Sequence, residues 1–381
     1  MEHTAEFDRL EMTGRMREAL AGLMDIDHYA WNERGAITLQ GRLVGPPQAV
    51  YRAIRSRLET LGFTPFLRRA AERDELLAVP GVIEHRPPRM LLPAVLFALT
   101  FVSVLLTGML QENLDWLSDP GMLIRNPSSV LQGLPFALTL LGILGAHEMG
   151  HYIVGRLRHA PVSLPYFIPL PPPISFIGTM GAVIVQREPM QDRRTVLEVG
   201  IAGPLAGLVV AIPLLFYGLA TSSVGPTPAE WVQQGYIQEG NSLFYLAAKL
   251  LVFGQMLPSN GIDVHLNSVA MAAWIGLLVT MLNLLPVGQL DGGHVTFALL
   301  GPRAVYLAYV IIGLCVLMGV VFTYFWLVWA GLAFFIVGPR HPAPLDDISG
   351  IGRWHKALAI FGLIVFALLL TPAPLTIVGG S

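Results

Sequence analysis

The chain has 381 residues, of which 54% are hydrophobic and only 13% are charged, and its mean hydropathy is +0.59. Soluble domains carry about 25% charged residues, so this composition excludes an ordinary soluble protein and indicates a membrane protein. The formal net charge of −2 argues against a nucleic-acid partner. The single cysteine, Cys315, excludes an internal disulfide and a cysteine-rich metal site, so any metal must be bound by histidines and carboxylates.

The first 89 residues hold thirteen of the twenty-four Lys and Arg residues and are predicted to form a separate domain. Alternating apolar residues predict a strand over 36–44, and apolar residues at helical spacing predict a helix over 48–61. Short strands are also predicted at 63–69 and 75–79. Residues 1–89 are therefore predicted to be a small α/β domain, which either stabilises the protein or serves in regulation or substrate docking.

Residues 90–381 are predicted to form a membrane domain with about seven transmembrane helices, because about 20 apolar residues are enough to cross a bilayer. The predicted spans are 90–110, 131–155, 196–220, 264–285, 304–320, 322–337 and 356–375. The segment 243–256 is apolar but shorter, so it is predicted to lie at the interface or to re-enter the membrane. The predicted fold class is an all-α polytopic integral membrane protein with a re-entrant or hairpin segment and a small N-terminal α/β cytoplasmic domain.

The charges between the spans predict how the chain is oriented in the membrane. Arg156 and Arg158 follow the second span, and Arg340 and Arg353 lie between the sixth and the seventh. The loop 221–263 contains a single lysine and no arginine. The positive-inside rule therefore places the N-terminus in the cytoplasm and this loop outside. Arginines greatly outnumber lysines, which is typical of a GC-rich prokaryotic genome, so a prokaryotic cell membrane is predicted.

Residues 147–151 read His-Glu-Met-Gly-His, toward the cytoplasmic end of the second predicted span. On a helix His147 and His151 are one turn apart and face the same side, so both imidazoles can reach one metal ion. Glu148 lies beside them and can take a proton from a metal-bound water. Three ionisable side chains in one turn at bilayer depth are costly, which indicates a site. The alternative is a helix end with solvated side chains in a loop.

A catalytic zinc ion needs a third protein ligand and an open position for water. Asp291 is the best candidate, because it follows the fourth predicted span at the same cytoplasmic end. The surrounding helix-breaking residues are Pro286, Gly288, Gly292 and Gly293. Irregular backbone at membrane depth is tolerated only where it is buried in protein or lines a wet cavity. The alternative is a helix-capping loop with an aspartate that faces solvent.

These two motifs together resemble the site-2 protease family of intramembrane zinc metalloproteases. The resemblance rests on the H-E-x-x-H motif at 147–151 and on N-x-x-P-x-x-x-L-D-G from Asn283 to Gly292. The stretches at 176–182, 202–207 and 283–294 are similar to the branch without a PDZ domain. That branch includes the chloroplast "ethylene-dependent gravitropism-deficient and yellow-green" proteins and their bacterial relatives. One departure is Gly207, where many members have asparagine.

The resemblance implies a zinc endopeptidase that cleaves transmembrane protein substrates in the lipid bilayer, with one zinc ion per chain. His147, His151 and Asp291 are the expected zinc ligands, and Glu148 is the expected general base. Asn283 is expected either to bind the substrate backbone or the oxyanion, or to pack between helices. Gly203 and Gly207 form a G-x-x-x-G pattern, which predicts close packing of the third span, around the catalytic helix.

A transmembrane substrate hides its carbonyl groups in helical hydrogen bonds, so the cleaved stretch must be unwound and held extended. The segment 161–185 suits this role, since Pro165, Pro169 and the prolines at 171–173 cannot continue a helix. Residues 176–185 favour a hairpin whose free edge adds the substrate as an extra strand. The alternative is a plain re-entrant loop.

Two other classes of function are compatible with a membrane protein of this composition. One is a non-catalytic membrane chaperone or adaptor on the same scaffold, although the intact His, Glu, His and Asp set argues against it. The other is a metal or ion transporter, which often has inverted repeats and polar groups spread over several spans. No convincing repeat is found here, so an intramembrane zinc endopeptidase is the preferred hypothesis.

Overall fold

The computed structural model describes residues 2–70, 72–82, 90–112, 121, 125–160, 162–186, 188–228, 233 and 235–379. The predicted domain boundary at residue 89 and the start of the predicted substrate segment at residue 161 lie outside these ranges. The chain forms two compact units. The first consists of Met1–Pro87, Glu188–Val196 and Pro342–His355, and the second consists of Pro88–Arg187, Leu197–His341 and Lys356–Ser381.

The first unit contains an antiparallel four-stranded sheet with the order β1-β2-β4-β3. Its elements are α1 (Glu2–Leu20), β1 (Met24–Trp31), β2 (Ile37–Leu43), α2 (Pro47–Thr60), β3 (Phe63–Ala70) and β4 (Arg73–Pro80). The strand, helix and two strands expected from the sequence correspond to β2, α2, β3 and β4. The structure adds α1 and β1. The amphipathic helix α2 buries Val50, Ile54 and Leu58, whose spacing of four residues puts them on one face.

Two distant stretches of the chain extend this sheet beyond the edge of β3. The Leu67 amide donates a hydrogen bond to the Leu345 carbonyl (2.7 Å), and the Asp347 amide donates to the Leu67 carbonyl (3.0 Å). The Leu345 amide in turn donates to the carbonyl of Met190 (2.9 Å). Leu345 is 1% exposed and belongs to the hydrophobic core of the unit. The first unit therefore needs three separate stretches of chain to cover its sheet edge and complete its core.

In the part of the chain that the structure describes, four helices are long and apolar enough to cross a membrane: Leu91–Glu112, Pro127–Leu157, Arg193–Ala220 and Asp291–Val321. Together with the apolar composition, they make the chain a multi-pass membrane protein. We label its helices α3 (Leu91–Glu112), α4 (Leu134–Leu157), α5 (Arg193–Ala220), α6 (Leu243–Phe253), α7 (Ser268–Asn283), α8 (Asp291–Leu300), α9 (Ala304–Val321), α10 (Phe325–Gly331) and α11 (Arg353–Leu369). A π-helical turn, Leu332–Val337, continues α10.

Helix α4 lies in the centre of the second unit and packs against α3 and α7. Its residues Phe136, Leu140 and Ile143 are fully buried, and this face continues one turn later at His147. Gly276 of α7 lies against the Ile143 side chain, and a Cβ atom at Gly276 would come within 2.9 Å of it. The apolar face of α4 thus carries the histidines of the motif into the interior of the bundle.

Three two-stranded antiparallel sheets complete the second unit. Their strands are β5 (Tyr166–Pro169) with β6 (Thr179–Val183), β7 (Ser223–Pro226) with β9 (Ile262–His265), and β8 (Tyr236–Glu239) with β10 (Leu375–Val378). The β5–β6 hairpin lies in the predicted substrate segment, and β5 comes from its proline-rich part. Ser103 and Gln111 of α3 donate hydrogen bonds to the carbonyls of Gly178 and Phe176, which anchors the connection between the two strands.

A fully buried lysine joins two of these sheets. The Lys249 ammonium group on α6 lies 3.1 Å from a Glu239 carboxylate oxygen on β8 and 3.6 Å from one of Asp263 on β9. Tyr245 also donates a hydrogen bond to Glu239, and Gln238 donates one to Asp263. Burial raises the pKa of the Glu239 carboxyl. Because the Lys249 ammonium group lies between two buried carboxylates, its removal would leave their charge uncompensated.

We therefore expect Lys249→Met to destabilise the folded protein by about 3–5 kcal/mol, because it leaves two buried carboxylates without their cation. Thermal unfolding in detergent would measure this as a clear fall in the melting temperature. The matched control is Lys356→Met, since Lys356 is exposed and is the other lysine of the chain. Equal melting temperatures for the two variants would contradict a structural role of the cluster.

Candidate metal centre

The two histidines of the H-E-x-x-H motif face each other on α4. Their Nε2 atoms are 3.1 Å apart, and His147 is only 2% exposed. Glu148 follows His147 on the same turn and is 9% exposed. The helix forms here because the preceding residues are apolar over several turns, and it ends at Leu157. The motif therefore lies near the C-terminal end of a helix long enough to cross the membrane.

Asp291 joins these histidines from the start of α8. One of its carboxylate oxygens lies 3.2 Å from His147 Nε2, and the other lies 3.3 Å from His151 Nε2. One ligand atom from each of the three residues lies within 4.8 Å of the other two. Tetrahedral zinc with bonds of about 2.0–2.1 Å spaces its ligand atoms roughly 3.3 Å apart. The donor types and their spacing therefore fit one zinc ion, with a coordination position left for water.

A tight turn over residues 284–290 sets the position of Asp291. A Cβ atom at Gly292 would clash with the Leu284 carbonyl, and one at Gly293 would clash with the Gly288 carbonyl. Glycines at these two positions let the turn fold back against the first turn of α8. Asp291 is the first residue of that helix, so its carboxylate is directed by the turn. The glycines of the L-D-G-G sequence thus allow the turn to pack closely, and its aspartate supplies a candidate metal ligand.

Helix α5 orients the two histidine rings. His151 Nδ1 donates a hydrogen bond to the Val199 carbonyl (2.7 Å), which leaves the lone pair of Nε2 on the side of Asp291. A Cβ atom at Gly203 would clash with the His151 ring, and one at Gly207 would lie 3.3 Å from His147 Cβ. The predicted close packing of Gly203 and Gly207 around the catalytic helix is therefore confirmed.

Asn283 is the last residue of α7, and its Nδ2 atom lies 3.3 Å from His147 Nε2. This contact puts its amide beside the His147 ring. Glu148 follows His147 directly on α4 and is buried. All five residues selected from the sequence therefore lie together, although their chemical roles remain predictions.

The structure also shows contacts that sequence reasoning did not identify. The hydrogen bond from His151 to the Val199 carbonyl could not be predicted from the sequence, because every residue has a backbone carbonyl. His294 Nδ1 and His341 Nε2 are 2.5 Å apart. His294 follows Asp291 by three residues on α8, so the two side chains are neighbours on the surface of that helix. No comparable spacing pointed to His341, which is fifty residues from Asp291.

The geometry defines an H-E-x-x-H motif and an aspartate that together could hold a metal ion within a multi-pass membrane protein. Residues 135–323 match the family model "Peptidase family M50". The chain is 32% identical over 246 residues to the "Probable zinc metalloprotease EGY1, chloroplastic" of Arabidopsis thaliana, covering 63% of this chain and 43% of the relative. It is 30% identical over 364 residues to the corresponding EGY2 protein, covering 91% of this chain and 62% of the relative.

The chain therefore carries a domain of the M50, or site-2 protease, family and is homologous to the EGY1 and EGY2 zinc metalloproteases. The resemblance seen in the sequence motifs is thereby confirmed. A rice relative, the "Probable zinc metalloprotease EGY1, chloroplastic" of Oryza sativa subsp. japonica, is 30% identical over 64% of this chain. The chain spans between 41% and 62% of the length of these curated relatives. No solved structure matches it.

The packing of α5 on the histidines makes a testable prediction. Gly203→Ala should weaken zinc binding by roughly 10–100-fold, the usual effect of disturbing the groups that orient metal ligands. The added methyl group would push the His151 ring away from its bond to Val199. Gly145→Ala on α4 is the matched control, because a Cβ atom there meets nothing within 4 Å. The measurement is zinc affinity by chelator competition, and unchanged affinity in Gly203→Ala would refute this role of α5.

Proposed function

We propose that this protein is a zinc-dependent intramembrane endopeptidase that hydrolyses peptide bonds within or near transmembrane helices of other proteins. The observation that carries the proposal is the convergence of His147, His151 and Asp291 in helices long enough to cross a membrane. The homology to zinc metalloproteases supports the same conclusion. The proposed centre holds one zinc ion per chain, with these three residues as its ligands.

Each residue of the centre has a proposed role. Bound zinc supplies a Lewis acid and lowers the pKa of a bound water to about 7. Glu148 accepts a proton from the attacking water and passes it to the nitrogen of the leaving amine. Asn283 donates a hydrogen bond from Nδ2 to the substrate carbonyl as negative charge develops on its oxygen. Val199 holds the His151 ring in the tautomer that leaves Nε2 free for the metal.

The β5–β6 hairpin is proposed to hold the unwound substrate. Strand β6 pairs with β5 along one side, and among the described residues these two strands form a sheet of their own. Met180 and Val183 of β6 are 69% and 50% exposed, so neighbouring described residues do not enclose these two side chains. A third strand on the other side of β6 would fix the substrate backbone by hydrogen bonds, independently of its side chains.

The proposed topology has seven crossings, with the N-terminus in the cytoplasm and the metal centre toward the cytoplasmic side. The four long helices supply four of these crossings. Helices α7, α10 with its π-helical continuation, and α11 are proposed as the other three. The positive charges that follow α4 and precede α11 support this orientation. The high ratio of arginine to lysine supports a prokaryotic cell membrane, whereas the named relatives are chloroplastic.

The first test of this proposal is Glu148→Gln. This variant should bind zinc normally but lose cleavage by roughly 10²–10⁴-fold, because it removes the proton acceptor and leaves the ligands in place. Asp291→Ala should lose both zinc and cleavage, whereas the exposed Asp27→Ala should change neither. Metal analysis and cleavage of a reconstituted transmembrane substrate would be measured side by side. If Glu148→Gln cleaved the substrate at the rate of the unmodified protein, the mechanism would be refuted. If the unmodified protein bound zinc but cut no substrate, a chaperone, adaptor or transporter would be favoured.

The second test concerns β6. Proline removes an amide donor, and successive amides of a strand point to opposite sides. Proline substitutions from Met180 to Val183 should therefore impair cleavage at alternate positions while zinc content stays normal. The corresponding alanine or serine substitutions keep the amide and serve as controls. A scan with uniform losses, or with none, would show that the hairpin does not pair with the substrate.

A further inference from the structure

The second unit contains a histidine pair that the proposed mechanism does not use. His294 on α8 and His341 after α10 approach each other with Nδ1 and Nε2 2.5 Å apart. Two ligands of one tetrahedral zinc would be roughly 3.3 Å apart, so this contact is a hydrogen bond between the two rings and not a second metal site. Among the residues that the structure describes, only His147, His151 and Asp291 form a group that could hold a metal.

The pair belongs to a short segment that crosses the turn before α8. We call residues 337–341 the strap. At one end of the strap, the Gly338 carbonyl packs so closely on Gly288 that a Cβ atom there would clash with it. At the other end, the His341 ring stacks on Phe297 of α8, with ring centroids 4.3 Å apart and planes at 15°. The strap therefore contacts both the turn that precedes Asp291 and the helix that follows it.

The position of His294 connects the strap to the metal centre. His294 is one helical turn after Asp291, and its Cβ lies against Gly200 of α5, where an added Cβ would come within 2.5 Å. The residue before α8, Leu290, provides no side-chain cap, and its backbone carbonyl accepts a hydrogen bond from the His294 amide (2.9 Å). The His294–His341 bond is a side-chain contact that joins this turn to chain outside α7 and α8.

Simple space filling does not account for this pair. A phenylalanine or leucine would fill either position without bringing a polar ring into the membrane region, where polar groups are costly. Two imidazoles in a hydrogen bond add a directional constraint that apolar packing lacks. The direction of α8 decides where the Asp291 carboxylate lies relative to His147 and His151.

We propose that His341, acting through His294, is a positioning residue that keeps Asp291 in place to bind zinc. The inference rests on the proposed zinc site and adds a group outside its ligands. It predicts that the strength and geometry of metal binding depend on the hydrogen bond between the two rings. Groups that orient metal ligands usually contribute roughly 10–100-fold to metal affinity, and the same range is expected here.

The experiment compares two kinds of substitution in the full-length protein in detergent. His294→Phe and His341→Phe keep a ring but remove the hydrogen bond. His294→Asn and His341→Gln keep a polar atom near the position of Nδ1 and Nε2, respectively. His28→Ala, at an exposed position on β1, is the control. The readouts are the rate of zinc loss to a chelator, the visible spectrum of the cobalt-substituted protein and the melting temperature.

Either phenylalanine variant should lose zinc roughly 10–100-fold faster and change the cobalt spectrum. The double phenylalanine variant should be no worse than a single one, because the pair acts as a unit. The Asn and Gln variants should restore most of the loss. Unchanged zinc retention and unchanged cobalt spectra in the phenylalanine variants would overturn the inference. It would also be overturned if the zinc losses of the two single variants added in the double variant, or if neither polar variant rescued zinc binding.

These readouts need no substrate, so they separate this inference from the proposed function. A protein whose zinc binding depends on the pair but which cuts no transmembrane substrate would refute the endopeptidase and leave the positioning role intact. The opposite result is loss of cleavage in Glu148→Gln while breaking the pair changes neither cleavage nor metal retention. That result would support the endopeptidase and refute the positioning role.

Discussion

The burial of ionisable side chains among apolar helices is the constraint on which the rest of this structure depends. His147, His151 and Asp291 are stable there because each lies within about 3.3 Å of another member of the group, and a metal ion would complete their pairing. Such spacing requires backbones to approach one another closely. Glycines of α5 and α8 meet that requirement, so the pattern of small residues follows from the chemistry of the site.

The same constraint explains why the metal centre is assembled from helix ends and turns. The middle of an apolar helix offers no free backbone group, whereas the turn before α8 offers carbonyls and a helix start. Gly288, Gly292 and Gly293 let that turn fold tightly, and the strap lies over it. The β5–β6 hairpin adds extended backbone of the kind that an unwound substrate can pair with. The irregular segments therefore position Asp291 and supply the proposed substrate strand, whereas His147, Glu148 and His151 lie on the regular helix α4.

Two of the chain stretches that belong to the first unit begin or end within a few residues of groups that contact the candidate metal site. The stretch Glu188–Val196 of the first unit is followed three residues later by Val199, whose carbonyl orients His151. The stretch Pro342–His355 begins directly after His341. Both stretches are held in the first unit by backbone hydrogen bonds at the edge of its sheet. The chain therefore passes between the two units several times along its sequence.

The sequence by itself determined the features that depend on local spacing. These include the apolar spans, the two histidines one turn apart on α4, the strands and helix at 36–79 and the glycine-rich turn before Asp291. Tertiary structure alone decided which distant groups meet. His341 reaches His294 only because the strap crosses α8, and Leu345 completes the first unit only because the edge of β3 is open to it. Local periodicity follows from backbone geometry within a few residues, whereas these contacts depend on long-range packing that leaves no periodic signal.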